Sequence, residues 1–274
     1  RESLVHQRYV AFVTSLSTTT TTNTYRFAAD LVSYGGLGDS FYEYLLKQWI
    51  QGRGSKHHPG AQAAVAAAGG GGGTSTSSAG PNERYRRYYD EAVAAMKEHM
   101  VAQAGNMTVL SEWKAGSMNG AMDHLACFVP GMLTLGAMGK TIAQDIALAQ
   151  QLIETCVQLY FDQPTGIGPE RVQFELDTID GIKGGRAIVA DELSHNDAGA
   201  AAAGDTSSKP YKIASPKYLL RPETIESLFY LWRKTHNEQY REWGWQILLA
   251  IEEHCKTQRA YSGSCRRYLQ RRAA

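Results

Sequence analysis

Apolar residues at Ile225, Leu228, Phe229 and Trp232 recur at i, i+3, i+4 and i+7, which marks one face of a helix. Pro222, just ahead of them, suits a first helical turn, where its missing N–H is not needed and its φ is already helical. Polar residues from Thr235 to Glu238 break the stripe, and Asn237 can cap a second helix. Tyr240, Trp243, Ile247, Leu248 and Ile251 line the inner side of that helix, so the segment predicts an αα-hairpin.

Other stripes predict helices over Ser40–Ile50, Glu83–Gln103, His124–Ala137 and Thr141–Phe161. Ser40 and Glu43 have the spacing of a capping box. Val172–Glu175 and Ala187–Val189 are short enough to be strands within loops. Three stretches carry too few apolar residues to join a packed core: Thr14–Thr24, Gln51–Asn82 with its unbroken run from Gly69 to Gly73, and Ala198–Pro210. Helical blocks separated by short turns, with no long alternating strands, predict an all-α fold.

At 274 residues the chain can bury a sizeable core. Its 28 basic and 27 acidic residues leave a net charge of +1, which points to neither nucleic acid nor an anionic membrane surface. The most apolar stretch, Leu125–Met138, is too short to cross a bilayer and is interrupted by Pro130 and Gly131. Residues 1–30 lack the pattern of a secretory signal. The four cysteines have no CxxC spacing, which argues against zinc. Spacing alone favours two buried free thiols at Cys127 and Cys156.

Several polar residues sit where a loop meets a helix or strand. Read from the residues alone, Asp39 is a helix N-cap and Glu223 a first-turn acid favoured by the helix dipole. On the same reading Glu226 is solvated one turn later, Glu170 is a surface turn acid and His124 is a core histidine.

The segments around these residues resemble the class I α-1,2-mannosidases, glycoside hydrolase family 47. Arg221-Pro222-Glu223 opens an aromatic-rich helix, and Gly38, Asp39, Ser40, Tyr42, Glu43 and Tyr44 match GDSxYEY. Thr165-Gly166 with Pro169-Glu170, and MDHLxCF from Met122 to Phe128, are similar to two further family segments. The resemblance implies a barrel of paired helices, the (α/α)7 toroid, of which residues 34–263 supply part, with flexible insertions at 51–82 and 198–210. Residues 1–33 stand apart as an irregular, non-homologous segment, and 264–274 as a divergent basic tail.

It also implies roles. Such hydrolysis needs one carboxylic acid to protonate the leaving oxygen and one carboxylate to act on water or the sugar. Asp39, Glu170 and Glu223 become the catalytic carboxylates, with Glu223 as general base. His124, Arg221 and Glu226 line the sugar pocket. Leu37 stands where single-mannose trimmers carry Arg, and leans toward Golgi-type members that remove several residues. EWKAGSMNGAMDHLACF and IEEHCKTQRAYSG lean the same way.

Cys127 and Cys156 become a disulfide, which implies an oxidising lumen, and the Asn106-Met107-Thr108 sequon agrees. The family's calcium is an implied cofactor, but its Thr ligand is missing and no metal residue is assigned in this chain. The upstream catalytic glutamate has no counterpart in residues 1–33, and Gln173-Phe174-Glu175 is rejected as its equivalent because it follows Glu170.

The expectation is therefore a truncated, inverting α-1,2-mannosidase of N-glycan processing, inactive in isolation. Its partners would be high-mannose N-glycans, with no nucleic acid, and a membrane only through a missing N-terminal anchor. Its compartment would be the Golgi or endoplasmic reticulum lumen. The alternatives are a non-catalytic mannose-binding lectin of glycoprotein quality control, or an inactive helical scaffold. The cysteine pair argues against the lectin, because degradation-linked relatives usually lack it.

Overall fold

Amphipathic helices and short antiparallel strands alternate through the chain. The computed structural model describes residues 16–18, 25–27, 31–54, 81–179, 182–183 and 209–263. Helix α1 (Asp39–Gly54) buries Tyr42, Leu45, Leu46 and Trp49 against α2 (Pro81–His99), which contributes Tyr89, Val93 and Met96. Tyr34 stacks on Tyr42 with ring centroids 3.9 Å apart and donates its hydroxyl to the Ala92 carbonyl. Those contacts seat the turn that leads into α1.

The helix expected over Glu83–Gln103 ends at His99. The chain then forms a hairpin of β4 (Val101–Ala104) and β5 (Met107–Leu110). Gly105 at φ +59° permits the two-residue turn, and the burial of nearly every strand residue favours the hairpin over another helical turn. β3 (Leu31–Val32) pairs with β6 (Trp113–Lys114), which pairs with β7 (Ser117–Met118). β8 (Ala121–Asp123) pairs with β9 (Arg171–Phe174), where a strand was expected, and β12 (Tyr211–Ser215) closes a sheet of order β12-β9-β8. Two small ladders complete the strands: β1 (Leu16–Thr18) with β2 (Tyr25–Phe27), and β10 (Thr178–Ile179) with β11 (Ile182–Lys183). The fold is thus mostly helical, and its short strands pair into small antiparallel sheets. The strand expected at Ala187–Val189 lies outside the described residues.

The block expected as one helix from His124 divides into a 3-10 turn (His124–Phe128) and α3 (Val129–Gly136). This apolar piece packs against α4 (Ile142–Phe161) and against α5 (Glu223–Thr235), which in turn packs on α6 (Gln239–His254) as the expected hairpin. Gly131 allows the α3–α5 approach, since a Cβ there would meet Ser227 Oγ and the Tyr230 ring at 3.0 Å. Ser227 Oγ also accepts from the Gly131 N–H and donates to the Cys127 carbonyl.

Two capping expectations come out differently. The Ser40–Glu43 box does not form, because α1 starts at Asp39, whose carboxylate accepts the Ser40 N–H, and Glu43 pairs with Lys47. Asn237 does accept the Gln239 N–H at the start of α6.

Cys127 and Cys156 are joined in a disulfide between the 3-10 turn and α4, and both are buried. Spacing alone had favoured free thiols. Helical phase puts both side chains on the core-facing side, where the two elements lie against each other. Closing a loop of 29 residues restricts the unfolded chain by roughly 3 to 4 kcal/mol. Replacing both cysteines by alanine should therefore lower the free energy of denaturant unfolding by about that amount. Equal stability of the variant and the oxidised parent would show that the bridge constrains nothing.

Candidate active site

Three chain segments bring their polar ends to one corner: the turn before α1, the start of β9, and the start of α5. In the first, the Gly35 carbonyl accepts the N–H groups of both Gly38 and Asp39, at 3.1 and 3.0 Å. Gly38 has no alternative, because a Cβ there would lie 2.1 Å from the Ser33 carbonyl oxygen. Leu37 takes a left-handed φ of 73° and leaves its side chain 81% exposed. Asp39 follows as the first residue of α1, as the N-cap reading anticipated to within one position.

Glu170 precedes β9. Its N–H donates to the Ser215 carbonyl and its carbonyl accepts the His124 N–H, so the backbone is gripped on both sides. Its carboxylate receives Arg221 in a fork, with Nε at 3.2 and 3.0 Å from the two oxygens and Nη2 at 2.5 Å from Oε1. Such a bidentate pair fixes orientation as well as charge. Glu170 is therefore an ion-pair partner and not a free turn acid.

Arg221 follows Leu220, a second left-handed leucine with φ 56°. Its charge is reinforced by Glu170 first, and Glu223 and Asp39 also act on it. Glu223 opens α5, where the helix dipole favours an anion. Burial pushes its carboxyl above the ordinary glutamate value. Its own backbone amide and Arg221 oppose that rise, while the negative charges of Asp39 and Glu226 add to it. Glu223 Oε2 is buried with no hydrogen-bond partner among the described residues. Glu226, one turn on, is also raised by burial, with Glu43 adding and Lys47 opposing, so it looks toward α1 as well.

His124 lies behind this corner and is only 5% exposed. Its Nε2 is 2.9 Å from the Tyr160 hydroxyl and 3.2 Å from Thr224 Oγ1, with the Tyr218 ring alongside. Burial, helped by Arg221, holds its pKa down at about 3. The ring is neutral and buttresses Thr224, the residue after Glu223.

A further network had escaped the sequence reading. Arg171 pairs with Asp123 and, at 2.7 Å, with Glu112, and Asp123 also accepts the Gly36 N–H at 3.3 Å. It braces the Asp39 turn against β8 and β9. Gly35 leaves no room for a side chain beside Asp123, which a Cβ would approach to 2.7 Å. The adjacency of Asp123 to His124 and of Arg171 to Glu170 was the available signal.

Asp39, Glu170 and Glu223 thus all act on Arg221, and Asp39 also acts on Glu223; Leu37 is exposed two residues before Asp39, Glu226 is one turn on from Glu223, and His124 supports from behind. Among the described residues, no group of three or more His, Cys, Asp or Glu side chains could hold a metal ion. No described residue is assigned to the calcium that the resemblance implies, and no chemical step is assigned to that ion. Nor, among the described residues, is any helix long and apolar enough to cross a membrane.

The buried neutral His124 has a pH consequence. Its folded pKa lies below the unfolded value of 6.5, so the unfolded chain binds the extra proton. Its contribution to stability should fall as pH drops from about 6.5 toward 3, by up to about 1.4 kcal/mol per unit. His124→Asn should be roughly 1 to 3 kcal/mol less stable at pH 7. The gap to the parent should narrow on acidification in denaturant titrations, and a pH-independent gap would contradict the assignment.

Residues 5–264 match the sequence profile of glycosyl hydrolase family 47. The chain is 35% identical to human mannosyl-oligosaccharide 1,2-alpha-mannosidase IC, over 85% of this chain and 29% of that protein. It is also 35% identical to the human endoplasmic reticulum mannosyl-oligosaccharide 1,2-alpha-mannosidase, over 78% of this chain and 24% of the relative. It therefore spans less than a third of the length of these curated relatives. The fold is similar to that of the alpha-1,2-mannosidase from Trichoderma reesei, with a TM-score of 0.65 at 24% identity, covering 94% of this chain and 48% of the other. With the profile matched over nearly its whole length, the chain belongs to glycosyl hydrolase family 47.

Proposed function

We propose that this chain carries part of the active site of an inverting α-1,2-mannosidase that trims terminal mannose from high-mannose N-glycans during N-glycan processing. Its helical hairpins form part of an (α/α)7 ring, and it works in the Golgi or endoplasmic reticulum lumen. The observation that carries the reading is Glu223 Oε2, buried and without a hydrogen-bond partner among the described residues, at a corner shared with Asp39 and the Arg221–Glu170 pair. Leaving a buried acceptor unsatisfied costs about 1 to 3 kcal/mol, so a water or sugar hydroxyl seated there is favoured.

On this reading Glu223 takes the proton of the attacking water and Asp39 holds that water from the other side. Glu170, oriented by the Arg221 fork, accepts sugar hydroxyls, and Arg221 keeps the carboxylates from repelling one another out of place. Glu226 lines the outer part of the pocket. Leu37, exposed on the rim, meets the neighbouring sugar and favours removal of several mannoses. His124 acts as a positioning residue that holds Thr224 and the start of α5, and does not itself touch the sugar. The proton donor for the leaving oxygen is assigned to none of these residues.

A protein that carries this chain within the complete ring should release mannose from a high-mannose N-glycan, and the purified chain alone should release none. Glu223→Gln should lower kcat by about 10²- to 10⁴-fold with little change in glycan binding. The base must be deprotonated to act and its pKa is raised, so kcat/KM should climb with pH through a value above the ordinary 4.5 of glutamate. Proton NMR of the first-formed sugar should show the β-anomer. An unimpaired Glu223→Gln enzyme would remove the base assignment, and an α-anomer would remove inversion.

A further inference from the structure

We propose that Asn106 is a site of N-linked glycosylation, modified before the β4–β5 hairpin closes. Asn106-Met107-Thr108 is an Asn-x-Thr acceptor triplet, and the six asparagines of the sequence include no other. The hairpin ladder runs from Val101↔Leu110 to Ala104↔Met107, so Gly105 and Asn106 alone make the turn. Gly105 is left-handed and Asn106 is not, the arrangement of a type II′ turn with glycine first.

Both turn residues are exposed, whereas Met107 and Thr108 beneath them are buried. The Gly105 N–H donates to Asp177 Oδ1 at 3.1 Å, which anchors the turn from its other residue. A large polar group on Asn106 therefore leaves the ladder and the core contacts undisturbed. The Cys127–Cys156 disulfide places the chain in an oxidising compartment, where such transfer takes place.

The order of events follows from Thr108. Its Oγ1 accepts from Gln103 Nε2 at 2.9 Å, and its carbonyl accepts from Thr155 Oγ1 on α4 at 2.7 Å. A transferase that must read the threonine hydroxyl finds it buried once the hairpin docks, so the acceptor is open only in the unfolded chain. The donor is an oligosaccharide carried on a lipid diphosphate. The Asn106 amide nitrogen bonds to the anomeric carbon, the carbon–oxygen bond to the diphosphate breaks with its electron pair leaving on the diphosphate, and the amide gives up one proton.

The test is expression of the full chain through a eukaryotic secretory pathway, followed by peptide-N-glycosidase treatment. The parent should gain mobility in one step, and the tryptic peptide from Glu98 to Lys114 should then carry aspartate at position 106. Asn106→Gln should lose the step and Thr108→Ser should keep it. Chain folded first and then exposed to the transferase and donor should remain unmodified. No step in the parent, or one that persists in Asn106→Gln, overturns the site. Efficient modification of prefolded chain overturns the proposed order. The peptide readout holds even if a variant folds poorly.

Discussion

The positive charge of Arg221 is the constraint on which the corner depends. Asp39, Glu170 and Glu223 act on that one guanidinium from three different elements, and two of them also face each other through their charges. Two unit charges at about 4 Å interact by roughly 4 kcal/mol at a near-surface dielectric, enough to drive a proton onto one carboxylate or to splay the loops. The fork orients Glu170 by both of its oxygens, while Glu223 and Asp39 act on the same guanidinium through charge. His124, close enough to feel Arg221, remains neutral under burial, so it adds no second positive charge beside that guanidinium.

That charge is useful only because the backbone beneath it is fixed. Glu223 opens α5 and Arg221 stands two residues before it, and Ser227 of that helix is tied to the Cys127 carbonyl and the Gly131 N–H. Cys127 is bridged to α4, which carries Tyr160 against His124. His124 donates its backbone N–H to the Glu170 carbonyl, returning to the other end of the ion pair. Packing, disulfide and hydrogen bonds thus form a closed circuit in which each partner of the Arg221–Glu170 pair is held independently. A pair assembled this way loses less side-chain freedom when it forms than two surface residues would.

Most of the helices were legible because their stripes are long. The αα-hairpin and the helix over Thr141–Phe161 appear where the 3.6-residue period places them. The β4–β5 hairpin was lost because Val101–Gln103 continues an apolar helical pattern, and a short buried strand has no periodicity of its own. Gly105-Asn106 was the local signal for the turn. In the site, motif words marked the carboxylates but not their bracing. Arg171 and Asp123 are joined across paired strands, and Glu112 reaches them from the chain after β5, a juxtaposition that only tertiary structure reveals.

The strained residues carry the same logic further. Leu37 and Leu220 are both left-handed, a conformation that costs a branched side chain on the order of 1 kcal/mol and that glycine would adopt freely. Each stands one or two residues before a site residue, Leu37 ahead of Asp39 and Leu220 ahead of Arg221. Each also keeps its side chain exposed, so neither is retained for core packing. A turn needing only left-handed backbone would be served by glycine, whereas Gly38 beside Leu37 is required for another reason, since the Ser33 carbonyl leaves no room for a Cβ. At both positions the backbone strain is therefore tied to an exposed apolar side chain next to a charged residue in sequence, and not to core packing or to a turn that only glycine could make.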